Sequence, residues 1–347
     1  MSRPTARPLA DRLADGPVIG AEGYVFELER RGYIKAGPYV PEVILDEPDA
    51  LRQLHREFLR AGADVMVALT YYAHRTKLKD VGREGQLEEL NRQAVRIANE
   101  IAAEGDALVA GNICNTWSYD PADPRRSGDV VRAQYREQLG WAVEEGVDLV
   151  IAETNDLVGE ALIGLQVCQE FGLPAIVTFA SVQPDTTYDG YSYVDACRVL
   201  ADAGAAVVGL NCSRGPATML PLLEQIRAAV DIPVAAQPVP FRTDAATPAF
   251  ESLAFPDGLR AFPIQLEPFA HTRFQMADFA RAAADLGTDF IGICCGGAPH
   301  HVRAMAEALG RHPVASRYSP SLDLHPVLGS STAASTQAVM GDWGAQP

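Results

Sequence analysis

The chain has 347 residues, with 45 Asp+Glu against 29 Lys+Arg, a formal net charge of −16 and a pI near 4.8. Such a surface repels phosphate backbones and no Lys/Arg run offsets it, so nucleic acid is excluded as a natural partner. No stretch approaches the ~18 uncharged apolar residues of a membrane span, and residues 1–12 carry arginines without an apolar core, so neither a membrane protein nor a secretory leader is expected.

Short apolar runs at 17–20, 64–70, 107–111, 148–153, 175–179, 206–212, 233–237 and 290–294 read as strands. They are rich in Val, Ile, Leu and Ala without alternation, as strands buried on both faces of a parallel sheet are. Between and after them, amphipathic patterns predict helices over 50–61, 88–104, 129–145, 156–171, 193–203, 216–229, 276–286 and 299–309. The first shows the logic: Glu47-Pro48-Asp49 opens it, Leu51, Leu54 and Phe58 recur at helical spacing, and Gly62 stands at its C-cap. The phrases EEGVDLVIAE, ADAGAAVVGLNC and ADLGTDFIGICC repeat one unit of helix end, turn and buried strand.

Eight strands in strict alternation with eight helices predict an α/β fold, a single-domain (β/α)₈ TIM barrel over residues 1–311. No glycine-rich fingerprint follows the first strand, which argues against a dinucleotide-binding sheet. Two segments break the rhythm. Residues 238–275 after the seventh strand are too long for a plain connection and are a candidate lid. Residues 312–347 are polar and rich in Pro, Gly and Ser, and read as a flexible tail.

A barrel of this kind places its reactive groups at the C-terminal ends of the strands. Those positions hold Glu22, Thr70-Tyr71-Tyr72, Asn112, Glu153, Asn211-Cys212 and Cys294-Cys295-Gly296-Gly297. The other cysteines, Cys114, Cys168 and Cys197, read as small apolar core residues. Six cysteines are too sparse for a disulfide scaffold, so a reducing cytoplasm is the expected compartment. Only one strand separates the sixth from the eighth, so Cys212 can approach the Cys294–Cys295 pair. Three converging thiols suggest Zn²⁺ with an open fourth position. Three thiolates on a dication make a poor Lewis acid for water, but a thiol entering the fourth position still ionises and stays nucleophilic. Such a site suits alkyl transfer to sulfur. Two rival readings of the same residues are a barrel lyase or hydrolase with structural cysteines, and a zinc-free thiol redox protein using Cys294–Cys295.

These residues bring the chain to a resemblance. GLNCSRGP around Cys212 and GICCGGAPHHVRAMAEAL around Cys294 resemble the paired cysteine segments of the homocysteine S-methyltransferase family. YVFELERRGYIKAGPYVPE, LRQLHREFLRAGADVM and LEPFAHTRFQ are similar to its betaine-using branch, and the likeness runs from about residue 10 to 310. The resemblance implies zinc held by Cys212, Cys294 and Cys295, and methyl transfer from an onium donor to homocysteine, giving methionine. It implies catalytic roles for Glu153 and Tyr72, with Glu153 holding the acceptor's ammonium. Tyr71 and Tyr72 match an aromatic pair at the family's donor site, and Glu22, Tyr39 and Thr70 are further expected substrate contacts. Aromatic faces attract quaternary ammonium or sulfonium groups, in keeping with that assignment.

This chain departs from the pattern at several points. Ala21-Glu22-Gly23 stands where relatives read Asp-Gly-Gly, and Val67 replaces a Gln. Tyr39 replaces a Trp, and Thr154 a Tyr. A different onium donor or thiol acceptor is therefore the alternative within the family. The expected partners are small molecules, without nucleic acid or membrane, and self-association into a homo-oligomer is left open.

Overall fold

The computed structural model describes residues 6–325. Eight strands form one sheet: β1 (Val18–Ile19), β2 (Val65–Val67), β3 (Leu108–Cys114), β4 (Leu149–Asn155), β5 (Ala175–Ala180), β6 (Val207–Asn211), β7 (Val234–Gln237) and β8 (Phe290–Ile291). The order is β1-β8-β7-β6-β5-β4-β3-β2 and every pair is parallel. The eight long helices that follow the strands in turn are α1 (Pro48–Ala61), α2 (Leu87–Ala102), α3 (Pro124–Glu145), α4 (Val158–Glu170), α5 (Tyr193–Asp202), α6 (Pro216–Arg227), α7 (Arg273–Asp285) and α8 (Pro299–Ala308). The molecule is a (β/α)₈ barrel, as its alternation predicts. Among the described residues, no helix is long and apolar enough to cross a membrane.

Asp64 bridges the seam between β1 and β2. Asp64 N–H donates to Ile19 O at 2.8 Å, and the Asp64 carboxylate accepts from Ile19 N–H at 2.7 Å. Asp148 grips Val109 of β3 in the same two-point way, and Asp289 grips Val234 of β7. An aspartate placed just before a buried strand thus takes both backbone groups of one residue on the neighbouring strand. The repeated glycine-x-aspartate turn is therefore a register device as well as a helix stop. At Asp64 both carboxylate oxygens also receive Arg311, at 2.5 Å each, so the chain after α8 is tied back across the seam.

Local signals explain the helix limits. Leu51, Leu54 and Phe58 of α1 are fully buried, and Gly62 ends that helix in the left-handed region at φ 103°, where a side chain would be strained. Helix α3 begins earlier than its apolar spacing predicts, because Asp123 caps it and Pro124 takes its first position. Helix α7 also starts early, at Arg273, through a capping box of Thr272 and Gln275.

The 238–275 segment packs as ordered chain. It carries 3₁₀ turns at Phe250–Ser252 and Glu267–Phe269, and Phe250 packs against Phe26, Phe241 and Phe262. Backbone bonds from Val239 to Arg214 and from Phe250 to Ser213 fasten it to the loop after β6. Beyond α8, Val314–Tyr318 and Leu322–Leu324 form two further 3₁₀ turns. The rest of the predicted tail, from 326 on, lies outside the described residues.

Asp64→Ala strips the acceptor from both Ile19 N–H and Arg311. We expect a loss of about 2–3 kcal/mol in unfolding free energy, read from urea midpoints, and an unchanged midpoint would refute the seam role.

Candidate active site

The end of β7 decides where the sulfurs sit. Cys212 follows β6 directly and its N–H bonds Gln237 O at 2.9 Å, while Cys294, just past β8, bonds Pro238 O at 3.0 Å. These two carbonyls are consecutive, so the cysteines hang on either side of one strand end. The Sγ atoms of Cys212, Cys294 and Cys295 lie within 4.8 Å of one another, and those of Cys294 and Cys295 are 3.9 Å apart. All are free thiols. Tetrahedral zinc with Zn–S of about 2.3 Å requires sulfurs about 3.8 Å apart, so the donor set and its spacing fit that ion. Asn211 Nδ2 stands 3.6 Å from Cys294 Sγ and orients it. Beside them the loops after β1 and β8 meet backbone to backbone: a Cβ on Gly23 would fall 2.3 Å from the Gly297 carbonyl oxygen.

A pair of carboxylates adjoins the sulfurs. Oxygens of Glu22 and Glu153 and the Cys294 Sγ all lie within 4.8 Å of one another. Glu153 is held by Asn112 Nδ2 at 2.6 Å, Asn211 Nδ2 at 3.1 Å and Thr154 Oγ1 at 3.3 Å. Glu22 is 7% exposed, and neither of its oxygens has a hydrogen-bond partner. Burial, and then the Glu153 charge, push the Glu22 carboxyl well above the usual range, and burial raises Glu153 also. Two buried carboxylates in contact need a proton or a cation between them.

These groups open into a cavity of about 310 Å³ at the C-terminal ends of the strands. The Tyr71 and Tyr72 rings meet at a tilt of 31° with centres 4.2 Å apart, and Tyr39 stacks on Phe26. Among the described residues, six non-glycine positions have positive φ: Tyr39, Tyr72, Trp117, Thr154, Cys212 and Ser213. All six line this cavity. Left-handed backbone at bulky or β-branched residues costs about 1–3 kcal/mol each, and its concentration here marks the functional end of the barrel.

The structure gathers Glu22, Tyr71, Tyr72, Glu153, Cys212, Cys294 and Cys295 around one cavity, as the strand-end reading expects, and Tyr39, which only the resemblance supplied, lines it too. Thr70 is placed differently. It is buried and its hydroxyl donates to Asn112 O at 2.6 Å, behind the wall. Cys168 and Cys197 lie in the apolar core, and Cys114 Sγ accepts from Tyr72 N–H at 3.4 Å. Sequence reasoning missed Asp156, Glu251 and Trp117, which also face the cavity. Asp156 and Trp117 lie within three residues of a strand end, a signal available in the sequence. Glu251 arrives from the 238–275 segment, where its Oε1 accepts from Ser213 Oγ at 2.9 Å, and no local pattern announces it.

A family model described as homocysteine S-methyltransferase matches residues 20–309. The chain is 42% identical over 313 residues to betaine–homocysteine S-methyltransferase 1 of Xenopus laevis, covering 87% of this chain and 75% of that one. It is 36% identical over 333 residues to the S-methylmethionine–homocysteine S-methyltransferase BHMT2 of Pongo abelii, covering 94% and 87%. In fold it is similar to the metallated form of the homocysteine methyltransferase MmuM from Escherichia coli. That likeness has a TM-score of 0.69 and 21% identity, over 87% of this chain and 99% of the other.

Burial lifts the Asp156 carboxyl to about 7, against the opposing hydrogen bond from Asn115. Above its unfolded pKa of about 3.9 the folded chain holds this proton more tightly. The stability it contributes is therefore complete at low pH and is lost as pH rises through 7. Asp156→Asn should gain stability over the parent by a margin that grows from pH 4 to pH 8, in urea unfolding at each pH. A margin independent of pH would contradict the shift.

Proposed function

The chain belongs to the homocysteine S-methyltransferase family, and on that premise we propose a zinc-dependent enzyme that moves a methyl group from a betaine-like onium donor to homocysteine, yielding methionine. The observation that carries the reading is the set of three free sulfurs within 4.8 Å of one another beside a buried, unpartnered carboxylate. Zinc held by Cys212, Cys294 and Cys295 would take up the acceptor's sulfur as a thiolate and leave it electron-rich enough to attack carbon.

Around that point the chain's own residues supply position and charge. Glu153, fixed by two amides and a hydroxyl, and Glu22, without a protein partner, receive the acceptor's ammonium. A cation between them relieves the repulsion that burial imposes on the pair. The donor's onium rests against the aromatic faces of Tyr71, Tyr72 and Tyr39. Displacement at the methyl carbon needs alignment more than proton transfer, because the leaving group departs as a neutral amine or sulfide. Phe250 and Phe262, brought over by the 238–275 segment, wall the cavity and limit water beside the reacting charges.

A second reading keeps this chemistry and changes a substrate. It is favoured by Val67, an apolar wall residue near the acceptor, and by the shift of the acidic side chain to Glu22. Zinc-loaded protein given homocysteine and glycine betaine should form methionine at enzymatic rates. Absence of methionine with zinc bound would move the search to other onium donors and thiols. Cys294→Ser should lose zinc, by metal analysis, and methyl transfer together, and full activity in metal-free Cys294→Ser protein would sink the proposal. Glu22→Gln should raise the homocysteine KM about tenfold or more, the scale of one charge-assisted contact. An unchanged KM would remove Glu22 from acceptor binding.

A further inference from the structure

The cavity is lined by four carboxylates, Glu22, Glu153, Asp156 and Glu251, and among the described residues no Lys, Arg or His lines it. A donor that carries a carboxylate beside its onium would add a further acidic group to this wall. Without a cation in reach that group would be rejected by repulsion and desolvation.

A cation is carried on two of the rings that line the cavity. Lys77 lies on the short helix Arg75–Asp80, which starts three residues after Tyr72. Its ammonium is 4.9 Å from the centre of the Tyr72 ring and 5.9 Å from that of Trp117, and both rings line the cavity. Its neighbour Arg75 is taken up by Glu84 and Glu137, yet Lys77 has no ion pair among the described residues. The side chain is half-buried. Two aromatic faces hold an ammonium in place without neutralising it, so its charge remains open to an anion. In glycine betaine a single methylene separates onium from carboxylate. An onium seated against Tyr71 and Tyr72 would carry its carboxylate one methylene away, beside the ring that holds the Lys77 ammonium.

We propose that Lys77 is the specificity-determining residue that receives the carboxylate of a zwitterionic onium donor; this deepens the methyl-transfer reading and rests on it. Lys77 takes no part in the displacement itself. It selects zwitterionic donors over plain cations in a cavity whose own charge favours the latter.

The test compares kcat/KM for glycine betaine with that for trimethylsulfonium, an onium donor without a carboxylate, in the zinc-loaded full chain with homocysteine. Lys77→Met keeps the length of the side chain and removes the charge, and Lys77→Arg keeps the charge. The expected result is a betaine-to-trimethylsulfonium ratio at least tenfold lower in Lys77→Met, lost through the betaine KM, with most of it restored in Lys77→Arg. An unchanged ratio in Lys77→Met would overturn the assignment. So would a parent enzyme that uses trimethylsulfonium and not betaine, although methyl transfer to homocysteine would then stand. If the parent transfers a methyl from neither donor, the reading as a betaine-type donor with homocysteine fails, and tryptophan fluorescence titration with glycine betaine decides the Lys77 question alone. In that case weaker betaine binding by Lys77→Met supports it, and equal binding overturns it.

Discussion

Two consecutive carbonyls at the end of β7 govern the chemistry of this molecule. Gln237 O faces β6 and holds Cys212, and Pro238 O faces the extension of β8 and holds Cys294. Sulfur atoms carried by strands that do not touch are brought within 4.8 Å because one strand passes between them and both cysteines hang from its end. A slip of one residue in either pairing would turn a thiol to the opposite face. The register of the barrel is therefore also the geometry of the donor set. That register is fixed at the other end by Asp64, Asp148 and Asp289, each clasping one residue of the strand beside it.

The second organising constraint is charge. The cavity gathers Glu22, Glu153, Asp156 and Glu251 without a basic residue from the described chain in its wall, and burial raises each carboxyl from its ordinary range. A cavity built this way holds cations well. An acceptor with an ammonium and a donor with an onium centre both supply what the wall lacks, and the aromatic faces add attraction without adding charge. Arg214 shows how the surrounding loops are kept rigid without a counter-ion. It is 6% exposed and donates to the carbonyls of Ser181, Gln183 and Pro184, joining the loop after β5 to the residues beyond Cys212.

Much of this is written locally in the chain. Unalternating apolar runs and helical spacing identify the barrel, and reading only the strand ends finds the cysteines, Glu22, Glu153 and the tyrosine pair. Helix limits were less legible where polar caps rather than apolar spacing set them, as at Asp123-Pro124 and Thr272. Glu251 could not be read in advance, because its place depends on how the 238–275 segment folds back on Ser213, and that contact spans nearly forty residues. Thr70 illustrates the reverse error of position. It stands at a strand end like its neighbours, yet its hydroxyl is spent on the β3 backbone.

The six left-handed residues around the cavity have a consequence for how this protein can change. Each is a place where glycine would sit more comfortably than the residue present, so a search for heat-resistant variants would be drawn to the rim of the cavity first. Yet Tyr39, Tyr72, Trp117, Thr154, Cys212 and Ser213 carry the ring faces, hydroxyls and sulfur that give the cavity its character. Robustness and chemical competence thus compete for the same few backbone positions. Among the described residues, the opposite, aspartate-clasped end of the barrel carries no strained non-glycine position of this kind.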